Sequence, residues 1–314
     1  MRRSDLRTGA AVALAVLALL VTACGESGQE TGGSQPQGLD LNVTLGTKNF
    51  TEQFVLGELY KQVLRTQGYK VTLRKDIGST EVVDRALQRG EIDGYPEYLG
   101  VADTVVAKRD VTGMNAAQTY RVAKDFYASR GQALSAQSAF ENVDAIATTV
   151  FYAQRHHLTD VGDLGAVRGA FSLGARPEFA TRRQGVEGMR SVYGLKNIRF
   201  RPLAIGTQYA ALDDGRVDAA NVFTTDGRLA SGQYKVLEDP KRLFGFQHVA
   251  LVIDEQKLKR LGGDRFMNIV DRLNRRLTIP AMIDMNRAVD VEGLDPEAVA
   301  TRFLQQNGFV PNND

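Results

Sequence analysis

From Leu41 onward, short runs rich in β-branched residues alternate with stretches in which apolar side chains return every third or fourth position. That alternation predicts α/β layering with mainly parallel strands. Residues 42–45 predict a first strand, and Gly46-Thr47-Lys48-Asn49-Phe50 turns the chain. Thr51 is placed to cap the next helix, whose buried face carries Val55, Leu59 and Val63, and Gly68 stops it. Residues 69–74 predict a second strand. Gly78-Ser79-Thr80 opens a second helix burying Val83 and Leu87, Gly90 ends it, and residues 92–94 enter a third strand. Residues 143–150 and 246–253 read as strands crossing between two halves of the chain. The segment from Asp254 reads as helix, with Leu258, Leu261, Phe266, Ile269, Val270 and Leu273 turned toward the first half.

One phrase occurs twice. Ala86-Leu87-Gln88-Arg89-Gly90-Glu91-Ile92-Asp93 has the frame of Ala211-Leu212-Asp213-Asp214-Gly215-Arg216-Val217-Asp218, and an aromatic follows each final Asp after five positions, Tyr98 and Phe223. A helix end, a glycine able to turn left-handed and an outgoing strand are the physical content of that frame. Each half would then present a ring at the carboxyl end of a strand, where α/β sheets place their ligands. Chance repetition of a common helix-turn-strand phrase is the competing reading.

The amino terminus follows another pattern. Arg2, Arg3 and Arg7 precede an apolar run over residues 10–21 that is short for a membrane span, so residues 1–23 read as a signal peptide. The segment ends in Val21-Thr22-Ala23-Cys24, which resembles the lipobox of bacterial lipoproteins; the resemblance implies cleavage before Cys24 and a lipid anchor on its thiol. Residues 24–40, rich in Gly, Ser, Gln and Glu, read as a flexible tether.

Composition narrows the chemistry. Lys+Arg 39 against Asp+Glu 37 gives a formal net charge of +2, too weak a field for nucleic acid to be the main partner. Loss of Arg2, Arg3, Arg7 and Asp5 with the signal peptide leaves the remainder formally neutral, so lipid rather than charge is expected to hold the chain at a membrane. One Cys and three His, with His156 and His157 adjacent, give no basis for a disulfide framework or a metal centre, and no cofactor motif is present. No Trp occurs, so any cation held by ring faces is held by Tyr and Phe.

Four phrases resemble one family: Gly46-Thr47-Lys48-Asn49-Phe50-Thr51-Glu52-Gln53, Gly94-Tyr95-Pro96-Glu97-Tyr98-Leu99-Gly100, Thr224-Thr225-Asp226-Gly227 and Asp290-Val291-Glu292-Gly293-Leu294-Asp295-Pro296. They are similar to those of the extracytoplasmic substrate-binding proteins of ABC importers for glycine betaine, carnitine and choline, of the ProX/OpuC type. The resemblance implies an α/β, two-lobed type II periplasmic-binding-protein fold with a central ligand cleft and two hinge crossings. Residues 41–143 and 247–314 would form lobe I and residues 144–246 lobe II. It implies no catalysis and no cofactor. The expected partners are a small quaternary-ammonium solute, an ABC permease with its ATPase, and the membrane through Cys24.

The same resemblance places the family's cage rings on Tyr98, Phe223 and Phe246, while the fourth falls on Asp144, where the ring is absent. It places Lys48 and Arg182 where a ligand carboxylate is held, with Thr80 and Thr225 as further polar candidates and Val101 where Thr is common. A carboxylate at position 144 implies a solute richer in donors or positive charge than glycine betaine, with choline, carnitine and ergothioneine as candidates. The bland alternatives are strand-end packing for the rings, a solvated turn charge for Lys48, and a surface charge or ion pair for Arg182. A one-residue slip of register would turn Asp144 to the opposite face. An exported enzyme acting on a small cation and a solute sensor are the competing functions.

Overall fold

Val43 and Leu45 alternate inward along β1 (Asn42–Lys48), the first element of a computed structural model that describes residues 39–111 and 113–311. The expected signal peptide of residues 1–23, the expected lipid site at Cys24 and residues 25–38 lie outside the described residues. β1 runs past its expected end because Gly46 stays paired with Arg74 and Lys48 with Gly78, across an irregularity that also lengthens β2 (Lys70–Gly78). Between them, α1 (Thr51–Thr66) buries Val55, Leu59 and Val63 completely. Thr51 does not cap it. The extended backbone that a cap requires falls on Phe50, and the Thr51 hydroxyl instead donates to Asp290 Oδ1 at 2.6 Å.

The chain continues through α2 (Thr80–Gln88), β3 (Gly94–Tyr98), α3 (Leu99–Val101), α4 (Ala116–Ser129) and β4 (Gln132–Leu134). It then enters β5 (Asp144–Thr149), α5 (Val150–His156), β6 (Phe171–Ala175), α6 (Val186–Val192) and β7 (Ile198–Pro202). α7 (Gln208–Asp213), β8 (Ala219–Phe223) and β9 (Tyr234–Leu237) follow, then β10 (Val249–Asp254) and α8 (Glu255–Arg260). The described chain closes with α9 (Asp264–Asn274), α10 (Ile279–Asp290) and α11 (Pro296–Gln306).

Two five-stranded sheets result, ordered β2-β1-β3-β10-β4 and β7-β6-β8-β5-β9. Each is mixed where mainly parallel pairing was expected: β1 pairs in parallel with β2 and β3, and β6 with β7 and β8, but β10 and β5 are antiparallel to both of their neighbours. β10 and β5 are the strands that arrive from the other sheet, and entering from that side reverses their direction. They occupy the same fourth position in the two orders, so the sheets repeat one another. The duplicated phrase lies at the heart of this repeat. Gly90 and Gly215 both take left-handed backbone, φ 68° and 65°, and launch β3 and β8. α9, α10 and α11 pack on α1 over the first sheet, where Tyr60, Phe266, Leu273 and Leu304 are fully buried. Among the described residues, no helix is long and apolar enough to cross a membrane.

Candidate functional site

The carboxyl ends of both sheets meet. Tyr98 is the last residue of β3, Phe223 the last of β8, and Phe50 stands just past β1. The Phe50 ring is stacked on both, with centroids 6.0 Å from Tyr98 and 5.4 Å from Phe223 and interplanar angles of 25° and 18°. Beside the rings opens a cleft, lined also by Lys48, Thr80, Asp144, Arg176 and Arg182.

Three close ion pairs set its electrostatics, with Glu178 Oε1 3.7 Å from Arg176 Nε as a fourth, longer contact. Lys48 pairs with Glu97, both fully buried, and its Nζ lies 4.9 Å from the Tyr98 ring centre. Burial pushes the Lys48 ammonium down and the Glu97 carboxyl up, and each partner pulls the other back toward its charged form. Arg176 makes the second pair, a two-pronged contact with Asp144 at 2.8 and 2.9 Å, and donates also to Asn221 Oδ1 at 2.5 Å. Burial alone would raise the Asp144 carboxyl, but the guanidinium outweighs it and holds the group below its ordinary value. The Arg176 guanidinium carbon is 5.4 Å from the Phe223 ring centre. The third pair joins Arg182 Nη2 to Glu81 at 3.1 and 3.2 Å, while the buried Arg182 Nε has no hydrogen-bond partner among the described residues.

Six of the expected site residues therefore come together on one cavity: Lys48, Thr80, Tyr98, Asp144, Arg182 and Phe223. Thr225 and Phe246 do not line it. Thr225 is fully buried and donates its hydroxyl to Glu52 Oε2 at 2.5 Å, and Phe246 is half-buried beside Gln247, whose side chain forms the wall instead. Asp144 faces the cavity, but its charge is committed to Arg176.

Sequence reasoning missed Phe50, Arg176 and Glu52. Phe50 was visible inside the first family phrase but was read as a turn residue, and Arg176 directly precedes Pro177-Glu178-Phe179 at the end of a strand. Glu52 has the widest reach. Its Oε1 accepts from Tyr98 Oη at 2.8 Å and Asn142 Nδ2 at 2.9 Å, and its Oε2 accepts from Thr225 Oγ1 and from Asn286 Nδ2 at 2.9 Å. Burial raises its pKa, and the four donors oppose that rise. Four donors on two oxygens match the acceptor capacity of a carboxylate. One charge on α1 thus joins a ring of the first sheet, the crossing at Asn142, the end of the second sheet and α10.

Residues 42–306 match the family described as the substrate binding domain of ABC-type glycine betaine transport system, OpuAC. Over 277 residues the chain is 32% identical to a glycine-betaine-binding protein of Pseudomonas aeruginosa, covering 85% of this chain and 88% of that one. Over 270 residues it is 27% identical to the ergothioneine transport permease/ergothioneine binding protein EgtU of Helicobacter pylori, covering 85% of this chain and 48% of the relative. The crystal structure of a glycine betaine/carnitine/choline ABC transporter shares the fold, with a TM-score of 0.69 at 24% identity over 85% of this chain and 99% of that one. With two sheets in the two-lobed arrangement of those neighbours and a family match spanning nearly all of the described residues, the chain belongs to the OpuAC family of ABC-transporter substrate-binding domains.

Proposed function

We propose that the cavity beside Tyr98, Phe50 and Phe223 is an aromatic cage for a quaternary-ammonium solute such as glycine betaine, choline, carnitine or a related betaine. The carrying observation is the ring triple, built from the ends of both sheets. A quaternary ammonium offers no ordinary hydrogen-bond donor, so ring faces hold it, each contributing about 0.5–2 kcal/mol. Phe50 stacked at 5.4 Å on Phe223 leaves no slot for a trimethylammonium between those two faces. Solute entry therefore parts Phe50 from a neighbour, by bending at the crossings between lobe I (residues 41–143 and 247–314) and lobe II (residues 144–246). Phe246 is the fourth ring in this reading and reaches the solute when the crossing at Gln247 bends.

Arg182 Nε, buried with no partner among the described residues, is the donor best placed for a solute carboxylate, with Lys48 beside it. Thr80 completes the wall, and Thr225 supports Tyr98 through Glu52. Asp144, balanced by Arg176, adds no uncompensated charge and does not by itself select a donor-rich solute. The cavity's acids and bases are engaged in ion pairs, which suits capture rather than catalysis. The loaded protein would hand its solute to an ABC permease outside the cytoplasmic membrane, with Cys24 and its tether as the lipid anchor. Titration calorimetry of the purified protein with glycine betaine, choline and carnitine tests the reading. Saturable binding of at least one, weakened about tenfold or more by Tyr98→Ala and by Phe223→Ala, is expected. Silence toward all three at millimolar concentration overturns it.

A further inference from the structure

A second cavity, open to solvent, shares Phe50, Phe223 and Asn142 with the first. Its chemistry is different. Glu52, Asp226 and Asp290 contribute carboxylates to its wall against one guanidinium, Arg228. The Glu52 oxygens already receive four donors; Asp290 Oδ1 receives Thr51 Oγ1 at 2.6 Å, and Asp226 Oδ2 receives the Phe223 N–H at 3.0 Å and the Tyr209 hydroxyl at 2.7 Å. Two buried amides complete the wall, Asn142 at 4% exposure and Asn286 at 3%. Each gives its NH₂ to Glu52 at 2.9 Å, and Asn286 gives its NH₂ also to the Thr225 carbonyl at 3.0 Å, which sets the amide orientations. Both Oδ1 atoms are therefore acceptors, and neither has a hydrogen-bond partner among the described residues.

A buried acceptor without a donor costs about 1–3 kcal/mol. Two of them beside surplus negative charge call for a cation that carries N–H donors, which a quaternary ammonium lacks. A metal ion fits less well, since no group of three or more His, Cys, Asp or Glu among the described residues could hold one. We propose that the second cavity is a binding site for a protonated amine, whose N–H groups meet Asn142 Oδ1 and Asn286 Oδ1 between the Asp226 and Asp290 carboxylates. Because Phe50 and Phe223 belong to both cavities, the amine is either a separate molecule or one end of a longer solute whose other end lies in the cage.

The test is calorimetric titration of the purified protein with 1,4-diaminobutane, in mildly alkaline buffer so that Asp226, pushed up to about 7 by burial, is ionised. Saturable binding is expected, weakened about tenfold by Asp290→Asn and strengthened by Arg228→Gln, with choline affinity within about twofold of the parent in both variants. Asp290 and Arg228 are exposed, and an asparagine at 290 still accepts the Thr51 hydroxyl, so both variants fold. Amine affinity unaltered by saturating choline identifies a separate molecule; competition that keeps the Asp290→Asn and Arg228→Gln responses identifies one spanning solute. No binding at millimolar amine, or binding that ignores both variants and disappears in Tyr98→Ala, overturns the site. Failure of choline, glycine betaine and carnitine alike to bind while the amine responses persist counts against the aromatic cage alone.

Discussion

The two sheets end in the same three-part unit, built from different residues. In the first, Tyr98 closes β3, Lys48 Nζ stands 4.9 Å from its ring centre, and Glu97 balances the lysine. In the second, Phe223 closes β8, the Arg176 guanidinium stands 5.4 Å from its ring centre, and Asp144 balances the arginine. The difference lies at the ring edge. The Tyr98 hydroxyl is tied to Glu52 and its ring is buried, whereas Phe223 has no hydroxyl and is half-buried. One wall of the cavity is pinned by a hydrogen bond and the other is held by packing. A site that parts its rings to admit a solute is served by that asymmetry: the fixed wall sets position, and the packed wall yields.

The largest expected effect separates the two ion pairs. Arg176→Ala removes the partner that outweighs burial at Asp144, and costs about 3–5 kcal/mol of stability by urea unfolding. Lys48→Met costs less, because Glu97 is held above its ordinary value even with the lysine in place, whereas Asp144 is held below its own by Arg176. Equal losses would break the comparison.

Each ring is also followed by an acid pushed up to about 7 by burial, Asp103 after Tyr98 and Asp226 after Phe223. Their ordinary value is 3.8, so between about 4 and 7 the folded chain keeps protons that the unfolded chain releases, and stability falls as pH rises through that window. Asp103, fully buried with neither oxygen hydrogen-bonded among the described residues, should dominate. Asp103→Asn is expected to gain about 1–3 kcal/mol above pH 7 and to flatten thermal stability across that window more than Asp226→Asn does. An unchanged slope would remove Asp103 from the account.

The ring edges come next. Tyr98→Phe strips one donor from buried Glu52 and should cost about 1–2 kcal/mol, while Phe223→Tyr should stay within about 0.5 kcal/mol. A smaller effect is expected at the proposed carboxylate donor. Arg182→Gln should weaken glycine betaine by about tenfold and leave choline, which has no carboxylate, nearly unchanged. Equal losses for both solutes would remove Arg182 from that role.

Much of this frame was legible before any coordinates. The duplicated phrase carried the two glycines that turn left-handed and pointed to Tyr98 and Phe223 at matching strand ends. What local pattern could not carry was the pairing of charges. Asp144 opens β5 and Arg176, 32 positions on, stands just past the end of β6; the two strands are separated in the sheet by β8, so no strand-neighbour rule links them. Asn221 on β8 sits between them and binds both. Glu52 gathers partners 46, 90, 173 and 234 positions away, and only the assembled fold brings them to one carboxylate. Thr51 was misassigned for a smaller reason: capping depends on which residue stays extended, and Phe50 does so to stack between the two rings.

The central claim is that ring faces from the two sheets hold a positive charge. It is tested most directly by titrating the purified protein in parallel with choline and with its uncharged carbon isostere, 3,3-dimethyl-1-butanol. The two have the same shape, so only the charge differs. Saturable binding of choline with no measurable binding of the isostere is the expected result, and equal affinities would contradict the account.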